Sequence, residues 1–303
     1  MTGGAGFIGS NLSRELAKEN QVTIIDDLST GYIENIQDLI NKDIIKFVEG
    51  SIIDIDVLQK IFNNVDYVFH EAAVVSVPLS IKDPIITNNV NINGTLSVLK
   101  AAMDNNVKKV VYASSCAVYG DPSRLPIKED FSLDPLSPYA LSKLACEYYC
   151  KIFNEVYNLP TVSLRYFNVY GPYQDPTSEY AAVIPIFINR CIKGESLVIY
   201  GDGGQTRDFV FVDDIVQANI LAAESKVVGN FNIGGGNHIS INDLAKIIMS
   251  LSKKDLKIIY QSPRSGEIMH SFADISKARE KLGFKPKFDL REGLEKTMRW
   301  FLE

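Results

Sequence analysis

Tyr139 and Lys143 stand four residues apart in the run Tyr139-Ala140-Leu141-Ser142-Lys143. On a helix, positions i and i+4 share a face, so the two side chains could work together in acid–base chemistry. A phenol with an ordinary pKa near 10 is no base at neutral pH. A neighbouring ammonium and a nearby cationic ring would favour the phenolate. Lowering the pKa by about three units requires roughly 4 kcal/mol of differential stabilisation, within reach of two close positive charges in a dry site. The same spacing also arises by chance on amphipathic surface helices. Ser115 lies just past the apolar run 110–113, with Ser114 beside it. Either hydroxyl could hold a reacting oxygen, and either could merely cap a loop.

Gly3, Gly6 and Gly9 form a Gly-x-x-Gly-x-x-Gly loop, with Phe7 and Ile8 opening the helix behind it. Glycine lets a backbone turn tightly and approach a pyrophosphate, while the helix aims its N–H groups and positive dipole end at the anion. A tight turn without a ligand has the same pattern. The run 22–25 ends at Asp26, at about the spacing where an acid holds adenosine ribose hydroxyls. An acid there repels a 2′-phosphate, so the expected cofactor is NAD rather than NADP. Asp27 is an alternative loop cap.

Positioning these groups requires a sheet. Strand-like runs at 22–25, 44–48, 67–70, 110–113, 161–166 and 230–233 alternate with amphipathic stretches, the pattern of an α/β fold with a doubly wound parallel sheet of Rossmann type. Ser137 and Pro138 suit the N-cap and first turn of a helix running to Tyr157. The rhythm breaks after Gly171-Pro172. We therefore expect an NAD-binding domain over 1–170, with a returning segment near 209–235, and a smaller α/β substrate domain over 171–303. The chain opens MTGGAGFIGS, with essentially no residues ahead of the glycine loop. The central strand is expected to be missing, leaving its two neighbours without a ladder partner.

Composition narrows the function classes. Over 303 residues, 46% are hydrophobic and 22% charged, an ordinary globular balance. The net charge of −6 offers no basic patch for nucleic acid. The adjacent pairs Lys108-Lys109 and Lys253-Lys254 are expected on solvated surface. Cys116, Cys146, Cys150 and Cys191 have no metal-type spacing with His70, His238 or His270, so no metal is expected. Four reduced thiols fit a cytoplasmic protein, and no stretch approaches the roughly 20 apolar residues of a membrane span.

Taken in order, TGGAGFIGS, YASSCAVYG, SPYALSK, RYFNVYGP and GDGGQTRDFVFVDDI resemble the extended short-chain dehydrogenase/reductase family over nearly the whole chain. Within it the chain is most similar to UDP-glucose and UDP-N-acetylglucosamine 4-epimerases. The resemblance implies reversible oxidation of a UDP-hexose to a 4-keto sugar, with Tyr139 as base, Lys143 as its partner and ribose ligand, and Ser115 as the oxygen-orienting hydroxyl. It implies cofactor contacts at Gly3, Gly6, Phe7, Ile8, Gly9, Asp26, Ser51, Ile52, Ala72, Asn91, Tyr139, Lys143 and Tyr166. Ser51 stands where the family often has Asp, and a hydroxyl can still accept a hydrogen bond there. Substrate contacts are implied at Asn168, at Arg207 and Arg264 for the diphosphate, at Val183 and Tyr200 for the uridine, and at Glu267 for its ribose. Ser271 occupies the position that gates the sugar's 2-substituent, and a small residue there admits N-acetyl.

Competing readings are a UDP-glucuronate 4-epimerase, which needs a cation beside the sugar's carboxylate, and a non-catalytic NAD-binding protein. A dehydratase needs an acid and a base beside the serine, where this chain has Cys116 and Ala117. Apolar residues in 96–103 and 144–156 are expected to support a homodimer.

Overall fold

The structure is a computed structural model describing residues 1–177, 182–263 and 268–303. Its first five strands are β1 (Val22–Asp26), β2 (Ile45–Glu49), β3 (Tyr67–His70), β4 (Lys109–Ser115) and β5 (Thr161–Tyr166). The later ones are mostly shorter: β6 (Asn168–Tyr170), β7 (Leu197–Tyr200), β8 (Thr206–Arg207), β9 (Phe209–Phe211), β10 (Gly229–Ile233), β11 (Ile239–Ser240), β12 (Ile258–Gln261) and β13 (His270–Ser271).

The main sheet is parallel throughout. β1 pairs with β2, and β10, β5, β4 and β3 follow one another in that order. Thr2 bridges the two groups, pairing with Ile25 on one side and His70 on the other. The sequence led to the expectation of an empty central slot; instead residues 1–3 fill its C-terminal part. Thr2 N donates to Phe69 O at 3.0 Å, Glu71 N to Thr2 O at 3.2 Å, Ile25 N to Met1 O at 2.9 Å and Gly3 N to Ile25 O at 2.9 Å. Met1 N donates to Thr23 O at 2.8 Å. Three extended residues span roughly 10 Å, enough to serve the upper ends of two short strands.

β4 and β5 are buried on both faces, as a sheet covered by helices on either side requires. The helices Phe7–Leu16 and Val212–Glu224 cover one face around Phe69, Val111 and Leu164. The helices Ile55–Ile61, Gly94–Asp104 and Pro138–Tyr157 cover the other around Val68, Val110 and Tyr112. Lys109, expected on the surface, is instead buried. Its Nζ donates to Ala222 O and Val227 O at 3.1 Å each, and to Ser225 O. A cation there satisfies carbonyls at a helix C-terminus that have no intrahelical donor.

Beyond β5, a further apolar cluster of Ile184, Phe187, Leu197, Leu244, Ile248 and Leu294 ties the helices Val183–Lys193, Ile241–Ser252 and Leu290–Leu302 together. β7 pairs with β12, β6 with β9, and β8 lies between β11 and β13. Among the described residues no helix is long and apolar enough to cross a membrane, and no group of three or more His, Cys, Asp or Glu could hold a metal. All four cysteines are free thiols.

Candidate active site

The C-terminal ends of β3, β4 and β5 share one edge, with His70 opposite Tyr112 and Ser115 opposite Tyr166. Ligands bind at that edge of a parallel sheet. Tyr139 is brought to it by the start of the helix Pro138–Tyr157, whose N-cap Ser137 accepts a bond from Ala140 N at 3.1 Å. One turn on, the buried Lys143 donates from Nζ to Ala113 O at 2.7 Å. That nitrogen lies 5.0 Å from the centre of the Tyr112 ring and 6.0 Å from that of Tyr139.

Spacing left Ser114 and Ser115 equivalent, and the structure separates them. Successive strand residues face opposite ways. Ser114 Oγ donates to Glu147 Oε1 at 2.5 Å, inside a buried ion pair. Ser115 Oγ accepts from Ala117 N at 3.1 Å, and its hydroxyl also meets the Tyr139 phenol.

The electrostatics differ from the expectation in one respect. Burial pushes Tyr139 up to about 12, opposed by its bond with Ser115. Lys143 does not offset this, because its ammonium is turned to Ala113 O and is itself pushed down by burial. The chain alone therefore holds the phenol protonated at neutral pH. Ionising it near pH 7 takes on the order of 7 kcal/mol of further stabilisation, which a cation bound at this edge would supply.

The glycine loop packs tightly on its own backbone and presents a helix N-terminus suited to an anion. Gly3 has φ +70°, and a β-carbon on it would stand 2.6 Å from Ala72 N. One on Gly9 would stand 2.1 Å from Gly3 O. The helix behind begins at Phe7 and Ile8, with Gly6 as its N-cap, and its first N–H groups have no intrahelical acceptor. Asp26 is oriented by Ala5 N to Oδ2 and Leu28 N to Oδ1, both at 2.9 Å. Burial raises its pKa, and those two donors oppose the rise. Its carboxylate keeps lone pairs for ribose hydroxyls.

Other expected cofactor residues are placed differently. Ser51 lies just past β2, where its Oγ accepts a long bond from Ile53 N at 3.5 Å. Ile52 is buried against Gly94, so its side chain belongs to the core. Asn91 is also buried, and its side chain is engaged inside the protein: Oδ1 accepts from Val74 N at 2.7 Å, and Nδ2 donates to Val74 O at 3.0 Å and Ser142 Oγ at 2.9 Å. It holds the loop after β3 against the helix that carries Tyr139.

On the substrate side, Tyr200 lines a cavity of about 660 Å³ with Gln205, Tyr260, Pro263 and Met269, a volume suited to a small ligand. Val183 does not line it; it opens the helix Val183–Lys193 and packs on the apolar cluster there. Arg207 donates to Thr206 O at 2.9 Å and Met269 O at 3.3 Å. It lies close enough to Cys116 to oppose the burial that raises this thiol to about 11. Arg207 thus stands between the cavity and the Ser115 edge. Ser271, buried in β13, pairs with Arg207 in register. Asn168 holds a buried Oδ1 that no described residue meets. Arg264 and Glu267 lie outside the described residues.

Three groups were given no site role from the sequence. His70 bonds Thr2 Oγ1 at 2.7 Å and Thr95 Oγ1 at 2.9 Å, and burial drives its pKa down to about 3. Asp208 accepts from Gly235 N at 2.6 Å and Ala273 N at 3.0 Å, and burial raises it to about 7. Glu71 accepts from Tyr166 Oη at 2.9 Å and is also raised to about 7 by burial. Its signal was available: an acid directly after an apolar strand of a parallel sheet.

Comparison with known proteins gives the family. The model of the NAD dependent epimerase/dehydratase family matches residues 1–234. A putative UDP-glucose 4-epimerase of Methanocaldococcus jannaschii is 42% identical over 99% of this chain and 97% of its own. The structure of a UDP-N-acetylglucosamine 4-epimerase from Methanobrevibacter ruminantium, in complex with UDP-N-acetylmuramic acid, is 47% identical, with a TM-score of 0.96 over 99% of this chain and 96% of that one. The Thermus thermophilus UDP-glucose 4-epimerase in complex with NAD is 35% identical, with a TM-score of 0.91 over 99% and 97%. The chain belongs to the NAD dependent epimerase/dehydratase family, as an enzyme whose cofactor is NAD.

Proposed function

We propose that this enzyme is a UDP-hexose 4-epimerase that interconverts UDP-GlcNAc and UDP-GalNAc and also accepts UDP-glucose and UDP-galactose. What carries the choice of sugar is Ser271, a small side chain paired with Arg207, at the position that the resemblance to UDP-hexose 4-epimerases makes the gate for the 2-substituent. The 47% identity to a UDP-N-acetylglucosamine 4-epimerase supports it. In this reading the uridine occupies the Tyr200–Tyr260 cavity, Arg207 takes the diphosphate, and the sugar reaches Ser115 and Tyr139.

Bound NAD supplies the hydride acceptor and donor. Tyr139 Oη accepts the proton of the sugar's 4-hydroxyl as the carbon is oxidised, and returns it after the keto sugar has turned over. Ser115 holds the same oxygen in line. Lys143, fixed on Ala113 O, serves as a ribose ligand, and the positive charge that ionises the phenol is left to the bound cofactor. A homodimer is carried here by the outer face of the helix Pro138–Tyr157, where Leu141, Tyr148, Ile152 and Val156 are exposed, together with Ile81 and Ile85. The helix Gly94–Asp104, expected to share that role, buries Val98, Leu99, Ala101 and Ala102 within its own chain and leaves Leu96 and Met103 partly buried.

The test is an assay of purified enzyme on the four UDP-hexoses, with Tyr139→Phe alongside. Interconversion of the N-acetyl pair is expected, with a loss of about 10²–10⁴-fold in the variant. Turnover confined to the non-acetylated pair would refute the sugar assignment. Full activity of Tyr139→Phe would refute the base.

A further inference from the structure

Between the glycine loop and Ser115, the sheet ends in a carboxylate that the chemistry above does not use. Glu71 follows β3 directly and remains partly open to solvent. Its Oε1 accepts from Tyr166 Oη at 2.9 Å, and that phenol oxygen accepts in turn from Asn219 Nδ2 at 2.7 Å. Tyr166 stands opposite Ser115 in register. On the other side, a β-carbon on Gly3 would lie 2.9 Å from the Glu71 carbonyl carbon. A dinucleotide anchored at Asp26 and the glycine loop, with its reactive ring meeting a sugar at Ser115, must cross the end of β3, which lies between β1 and β4.

We propose that Glu71, fixed through Tyr166, is a positioning residue for the nicotinamide half of NAD, its carboxylate favouring the oxidised, cationic ring over the reduced, neutral one. Oxidation of the sugar moves a hydride with its electron pair to the ring and the hydroxyl proton to Tyr139; the ring passes from cation to neutral, and the return step reverses both. Glu71 exchanges no atom. An anion stabilises the partner state that carries positive charge, and a cationic ring beside Glu71 in turn favours its ionised form against the burial that raises it to about 7. In an epimerase every hydride must be handed back, so a carboxylate here limits the fraction of enzyme stalled with reduced cofactor and free ketone. The inference rests on the epimerase reading but makes a separate claim.

It is tested on purified holoenzyme without any nucleotide sugar. Cyanoborohydride reduces the bound NAD, and near-ultraviolet absorbance follows the reduced ring. Glu71→Gln keeps an acceptor for Tyr166 and removes the charge, so the bound ring should be reduced about 10-fold faster. Tyr166→Phe leaves the carboxyl without its donor, which favours the neutral acid, and should give a rate between wild type and Glu71→Gln. A Glu71→Gln rate equal to or below wild type overturns the proposal. A Tyr166→Phe rate equal to wild type overturns the part played by Tyr166, and decides alone if Glu71→Gln does not retain NAD. Because no sugar is present, failure of the substrate assignment leaves this result standing, and the converse also holds.

Discussion

Glu147 and Glu71 both stand near Lys143, yet their surroundings are opposite. Glu147 is closed in. Its Oε1 accepts from Ser114 Oγ and Arg165 Nε, and its Oε2 from an Arg165 terminal nitrogen at 2.6 Å and Asn230 Nδ2 at 2.9 Å. Glu147 and Arg165 are each 2% exposed, and the network ties β4, β5 and β10 to the helix bearing Tyr139. Glu71 faces the ligand edge, and the ammonium nearest it is turned to a backbone carbonyl. A saturated ion pair fixes a scaffold; an unsaturated one leaves a field for a ligand. Ser114 and Ser115, adjacent in sequence, fall one on each side of this division.

The contrast can be broken in three places. The largest effect is expected at Glu147→Gln, which strands the Arg165 charge. Removing one partner of a buried pair costs about 3–5 kcal/mol, read as a lowered denaturation midpoint. Equal stability of variant and wild type would show the network to be incidental. Next, Ser115→Ala should lower turnover on the order of a hundredfold with the melting temperature held. Ser114→Ala should do the reverse, costing about 1–3 kcal/mol of stability and retaining activity. Exchange of those two phenotypes would undo the separation.

The smallest effect concerns His70. Its folded pKa is pushed below the ordinary value, to about 3, so the stability of the neutral buried ring is present above pH 6.5 and is lost as pH falls toward 3. At pH 5 the loss is roughly 2 kcal/mol relative to pH 8. Urea denaturation of wild type and His70→Asn at both pH values should show that difference between them. Parallel pH dependences would place the imidazole in contact with water.

Much of this is legible in the sequence. The runs at 22–25, 67–70, 110–113 and 161–166 fall on β1, β3, β4 and β5 because strands buried on both faces must be apolar throughout, and few other elements share that pattern. The cap at Ser137 follows from local side-chain chemistry. The spacing of Tyr139 and Lys143 fixed their common face, but not how deep it lies, so the upward shift of Tyr139 was hidden. The choice between Ser114 and Ser115 depended on a partner 33 positions away in the chain, which no local pattern encodes. Lys109 was misplaced for a related reason: the carbonyls it satisfies belong to a helix end more than 100 residues on. On the substrate side, the two-residue strands β8, β11 and β13 carry too little periodicity to be read at all.

The Asn91 amide has one further consequence. It is bonded to Val74 in both directions and to Ser142, so it cannot follow one of them without dragging the other. The segment past β3 and the turn presenting the phenol are pinned into a single lever. A shift at either end is therefore felt at the other, and the register of the phenol is set by the chain's own amide bonds.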